Sequence, residues 1–165
     1  MFGRLFDQLI ILEGGEVDHP DDPGGFTRWG VSERFVQSVG EKMPTTKEEA
    51  AAIYRKYFYE GPGVDRLPEP ARTLVFLTGV LIGTERAIRT LQQILNLKPD
   101  GVIGPVTIAA AAKAKPHVLV GEFVLAVHRM LKRLPHYKTF GDGWTKRLAL
   151  TAYFAAQNER TRSSD

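Results

Sequence analysis

The chain has 165 residues, of which 43% are hydrophobic and 25% charged, with a net charge of +3 at pH 7. This is the make-up of one ordinary globular domain, long enough to bury a core, and it excludes a disordered or fibrous chain. Without cysteine the fold cannot rest on disulfides, and the longest apolar run, around 74–82, is too short to span a bilayer.

The charge is unevenly divided. Residues 1–65 carry 7 Lys+Arg against 12 Asp+Glu, whereas residues 66–165 carry 15 against 7. Such a split suits acid chemistry in the first part and contact with an anionic polymer in the second. Arg4, Asp7 and Gln8 stand where a leader would be apolar, so no signal peptide is expected.

In chain order, Phe2, Leu5, Phe6 and Leu9 recur at helical spacing and Gly14-Gly15 stops the helix. Glu13 therefore falls in the last turn, where the negative end of the helix dipole and the apolar Ile10, Ile11 and Leu12 disfavour an ionised carboxylate. A group that must hold a proton near neutrality and then pass it to a leaving oxygen needs such a place, which makes Glu13 a candidate general acid. Asp22 follows nine residues on, in a loop turned by Pro20, Pro23 and Gly24-Gly25. Fully extended, that stretch would span roughly 30 Å, so two cooperating carboxylates require the chain to double back, as these turn residues allow. Asp18 and Asp21 are the alternatives to Asp22. The spacing of these acids is not that of an EF-hand, and no metal or other cofactor is expected. A small hairpin is expected near residues 26–31.

The ordered run Glu13-Gly14-Gly15, Asp21-Asp22-Pro23-Gly24-Gly25, Thr27 and Trp29-Gly30-Val31 resembles the signature of glycoside hydrolase family 108, the phage and prophage N-acetylmuramidases. The order Glu, Asp, Thr is also similar to the active-site run of phage-type lysozymes. The resemblance implies an all-α, lysozyme-like domain that hydrolyses the β-1,4 bond between N-acetylmuramic acid and N-acetylglucosamine. It implies Glu13 as the acid, and Asp22 or a neighbouring Asp activating water or stabilising the oxocarbenium-like centre. Thr27 would position water or the second carboxylate, and Asp21, Gly25 and Trp29 would line the substrate. It further implies a phage endolysin made in the bacterial cytoplasm, or a secretion-linked muramidase, that acts on the wall as a monomer.

Further along, Ser32 caps a short helix closed by Gly40. Thr45 with Glu48 and Thr46 with Glu49 form overlapping capping boxes for a helix over residues 47–59. That helix carries Tyr54, Tyr57, Phe58 and Tyr59; Tyr54 and Phe58 read as core at i, i+4, while Tyr57 and Tyr59 are candidates for stacking on sugar rings. Pro68-Glu69-Pro70 opens an almost wholly apolar helix ending at Gly83. Leu77 and Leu81-Ile82 stand there where the family carries Asp and Asn. Thr84 is the expected cap of the next helix.

The run Leu97-Lys98-Pro99-Asp100-Gly101-Val102-Ile103-Gly104-Pro105-Val106-Thr107 looks like the turn motif of small helical peptidoglycan-binding domains. Its Asp100-Gly101 and Pro105 read as mainly structural. Helices are then expected over 106–114, 117–134 and 144–160, broken at Lys115-Pro116 and at Phe140-Gly141-Asp142-Gly143. Between residues 113 and 147 stand 8 Lys+Arg, among them Lys132, Arg133, Lys146 and Arg147. They are candidates for contact with the wall or an anionic outer-membrane surface. The expected division is a catalytic region 1–95 and a peptidoglycan-binding-like region 96–165 within one compact unit. No phosphate loop or Ser-His-Asp arrangement is present, and no nucleic-acid partner is expected. A lytic transglycosylase and a non-catalytic wall-binding module remain as alternatives.

Overall fold

The structure, a computed structural model, describes residues 1–13 and 27–162. The chain divides into two compact units, Met1–Tyr57 and Phe58–Asp165, so the division falls inside the expected catalytic region.

In the first unit, helix α1 (Phe2–Glu13) buries Phe2, Leu5, Phe6, Gln8 and Leu9, the stripe that its spacing requires. Strands β1 (Thr27–Arg28) and β2 (Val31–Ser32) form the expected hairpin, with Thr27 opposite Ser32 and Arg28 opposite Val31. Helix α2 (Glu33–Val39) starts and stops as its sequence directs: the Ser32 hydroxyl accepts from Phe35 N–H at 3.2 Å, and Gly40 closes it at φ 71°. At the head of α3 (Lys47–Tyr54) the Thr46 hydroxyl accepts from Glu49 N–H at 3.2 Å. The reach-back is shifted by one residue. The Glu49 carboxylate accepts from the N–H and hydroxyl of Thr45 at 2.6 and 2.8 Å, and these bonds hold it below the usual carboxylate range.

The helix expected over 47–59 is α-helical only to Tyr54 and continues as a π-helical turn, Arg55–Glu60. The wider turn changes the angular spacing of the rings it carries. Tyr54 is buried beside Phe6, with ring centres 5.8 Å apart, and Tyr57 meets Phe35 edge-on at 5.7 Å. Tyr59 is buried in the second unit, edge-on to Phe76 at 5.8 Å. Tyr54, Tyr57 and Tyr59 thereby take different surroundings.

The second unit is built round α4 (Ala71–Ile82), whose residues Thr73 through Gly79 are all buried, as an all-round apolar helix must be. Helices α5 (Thr84–Ile94), α7 (Pro116–Leu131) and α8 (Tyr137–Arg162) pack against it, and α6 (Pro105–Lys113) precedes α7. Gly83, at φ 92°, takes the cap position of α5 that its sequence assigned to Thr84, the first helical residue. The break expected at Phe140-Gly141-Asp142-Gly143 does not occur, since α8 runs through both glycines. The Tyr137 ring lies where a side chain at Gly141 would stand, 2.9 Å from it, and the Thr145 hydroxyl donates to the Gly141 carbonyl at 2.7 Å. Packing thus offsets the poor helix propensity of glycine, and the chain turns instead around Pro135, which cannot supply a helical N–H.

Pro70 offers no capping side chain to α4. Glu69 takes that part: its carboxyl accepts from the Thr73 hydroxyl at 2.6 Å and Thr73 N–H at 3.3 Å, while Asn158 donates to the same hydroxyl at 2.9 Å. Burial pushes the Glu69 carboxyl above the usual range, opposed chiefly by the Thr73 hydrogen bond. As pH rises the unfolded chain gives up this proton first, so the Glu69 contribution to stability is full below pH 4.5 and is lost as pH climbs through the raised value. Replacing Glu69 by Gln should flatten that dependence and raise Tm at neutral pH above that of wild type. Calorimetry of both proteins from acid to neutral pH checks this, and equal slopes would remove Glu69 from the account.

Candidate active site

Glu13 is the last residue of α1 and half-buried, with its Oε1 shielded from solvent. Facing it is the two-residue turn of the hairpin, Trp29-Gly30, with φ of 49° and 75°. Both residues are left-handed, the form that matches the twist of a tight hairpin, yet Asn or Gly is the usual first residue and a bulky ring there is rare. A Cβ placed on Gly30 would stand 2.7 Å from Tyr54 Oη, 2.8 Å from Glu13 Cγ and 3.2 Å from Glu13 Cδ. The glycine is therefore the space into which the acid's side chain and a buried phenol both fit. Tyr54, only 2% exposed, donates its hydroxyl to the Trp29 carbonyl at 3.4 Å. The Arg28 guanidinium lies 5.7 Å from the centre of the half-exposed Trp29 ring.

Of the other residues assigned to this site, Thr27 is placed by its backbone alone, in β1. Asp18, Asp21, Asp22 and Gly25 lie outside the described residues. Tyr57 is half-buried and donates its hydroxyl to Glu41 at 2.9 Å, beside the Lys56 ammonium on the same oxygen at 2.7 Å. Lys56 first and Tyr57 second hold Glu41 below the usual carboxylate range. Tyr59, 7% exposed, presents no ring face for a sugar, because the π turn carries it into a core. A groove of about 520 Å³ between the 40–45 segment and α3, lined by Glu41, Met43, Glu49 and Ile53, does not include Glu13. Among the described residues no three acidic or histidine side chains come together as a metal site would require.

In the second unit the turn motif is held from behind. Gln92, 1% exposed on α5, donates to Asp100 Oδ1 at 2.7 Å, the Val102 carbonyl at 3.0 Å and the Thr107 hydroxyl at 3.3 Å; its own carbonyl accepts from Gly101 N–H at 2.9 Å. Asp100 also accepts from Val102 N–H at 2.9 Å, which with the Gln92 bond lowers its carboxyl below the usual range. Arg89 donates to the Pro99 carbonyl and Arg66 to that of Ile103. The polar atoms of this loop thus hold its shape, and the signal for it was a glutamine on the apolar stripe Ala87, Ile88, Leu91. Lys132, Arg133 and Lys146 are exposed, but Arg147 turns inward, its guanidinium donating to the Leu77 carbonyl at 3.4 Å.

The chain matches the family model described as Glycosyl hydrolase 108 over residues 6–83 and a Predicted Peptidoglycan domain over residues 86–149. No curated protein matches it. Among solved structures it is similar to that of SagA from Brucella abortus, with 32% identity and a TM-score of 0.85 over 96% of this chain and 95% of that one. With a nearly coextensive relative at that identity and both models in sequence, the chain belongs to the glycosyl hydrolase 108 family and carries a peptidoglycan domain behind its hydrolase part.

Proposed function

We propose that this glycoside hydrolase acts as a muramidase, cutting the β-1,4 bond between N-acetylmuramic acid and N-acetylglucosamine in peptidoglycan, with Glu13 as general acid. The observation that carries the reading is the enclosure of Glu13: a carboxyl at a helix end, one oxygen shielded from water, its side chain seated against a strained hairpin turn. Protonated, it would deliver its proton to the glycosidic oxygen as the bond opens. Asp22, or Asp18 or Asp21, would stabilise the oxocarbenium-like centre or activate water, and Thr27 would help place that water. Trp29 would offer its ring to a sugar, and Asp21, Gly25 and Tyr57 further contacts.

Product chemistry tests the reading. Mass spectrometry of digested peptidoglycan should show reducing N-acetylmuramic acid ends. Anhydro-muramyl ends would make the protein a lytic transglycosylase, which needs only one acid, and bound but uncut glycan would make it a binding module.

The exposed Lys132 and Arg133 between α7 and α8 support a second role, contact with an anionic surface on the way to the wall. Among the described residues no helix is long and apolar enough to cross a membrane, so the proposed route from the cytoplasm runs through a partner such as a holin or a secretion system. Reversing both charges should weaken killing of intact cells from outside by about 30-fold or more and spare activity on bare peptidoglycan, since each basic side chain contributes about 1 kcal/mol at an anionic surface. Equal losses in the two assays would count against the surface role.

A further inference from the structure

Tyr54 has the burial of a core residue, but packing against Phe6 uses only its ring. A phenylalanine would serve there without the cost of burying a hydroxyl, which must find a partner. One group it meets is the carbonyl of Trp29, at 3.4 Å, inside a hairpin turn, on the side where Glu13 lies. That turn needs holding, because its first residue is a tryptophan at φ 49°, a conformation that bulky L residues rarely adopt. Glu13 ends its helix, and its side chain, with three rotatable bonds, lies against the same turn.

We propose that Tyr54 is a positioning residue for Glu13: its hydroxyl, bonded to the Trp29 carbonyl, fixes the turn so that the bare face of Gly30 sets where the Glu13 side chain rests. The proposal rests on the reading of Glu13 as the acid. Tyr54 touches no substrate; it acts through the turn. Productive geometry in a catalytic site is held to about 0.5 Å, and a displacement of about 1 Å can cost on the order of 100-fold. A loosened turn therefore slows the chemical step and leaves glycan affinity alone.

The test compares wild type, Tyr54→Phe, and a protein with 3-fluorotyrosine at position 54, on soluble peptidoglycan fragments, with Glu13→Gln as control. Rates are taken per folded molecule, well below every melting midpoint, so that a loss of stability does not pass for a loss of chemistry. Tyr54→Phe should lower kcat about tenfold or more with KM within twofold of wild type, and 3-fluorotyrosine, which keeps ring and hydroxyl, should restore kcat to within twofold. A wild-type kcat in Tyr54→Phe, or a raised KM with kcat kept, would overturn the positioning role while an inactive Glu13→Gln left the acid in place. An active Glu13→Gln would overturn both.

Discussion

Glu13→Gln should lower kcat on peptidoglycan about 10²–10⁴-fold, the range that a positioned acid contributes, while the helical circular dichroism stays that of wild type. The amide has the size and shape of the protonated acid but no proton to deliver. The buried stripe of α1 is Phe2, Leu5, Phe6, Gln8 and Leu9, so the fold of that helix does not depend on the Glu13 charge. The loss should fall on kcat, because the proton moves only as the glycosidic bond breaks. Clearing at the wild-type rate would end the enzymatic assignment of this residue.

Gly30→Ala should be nearly as damaging, for a different reason. At φ 75° an alanine costs about 1–2 kcal/mol from its own backbone. Its Cβ would also stand 2.7 Å from the Tyr54 hydroxyl and 2.8 Å from Glu13 Cγ, closer than carbon atoms come. The ring of Tyr54 is packed in and cannot retreat, so the Glu13 side chain gives way and its carboxyl moves. We expect kcat to fall about 100-fold with a modest drop in Tm. Gly40→Ala separates the two effects: it too is left-handed, at φ 71°, but its Cβ would meet nothing within 4 Å. Gly40→Ala should lower Tm and keep its rate, and equal rates in the two variants would show that crowding at Gly30 does not matter.

What could be read from the sequence was what local chemistry decides. Ser32 and Gly40 bound α2 because a hydroxyl cap and a left-handed stop work within four residues. The buried α4 follows from an apolar run with no polar face, and Pro105 opens α6 because its missing N–H is not needed there. The small hairpin expected near residues 26–31 forms, pairing Thr27–Arg28 with Val31–Ser32. Readings failed where tertiary packing overrode a local signal. Two glycines in α8 would have ended an isolated helix, but Tyr137 fills the space over Gly141. The π turn at Arg55–Glu60 follows a stretch whose pattern fits an ordinary helix, and it moves Tyr59 from a presumed stacking surface to a core. Arg147 belongs by composition to a basic face, yet it reaches a backbone carbonyl of α4. The place of Glu13 at the end of α1 was legible from the apolar spacing before it. Tyr54 was legible only as a ring, since nothing in the spacing shows where a hydroxyl 25 residues from Trp29 will point.

The amide of Gln92 is saturated: both ends are engaged, by a turn, a neighbouring helix residue and an acid at once. Such a position cannot drift alone. Exchanging Gln92 strands the Gly101 N–H and the Val102 carbonyl at once, so lineages of this chain should keep the glutamine while surface recognition by this part diversifies over a fixed frame.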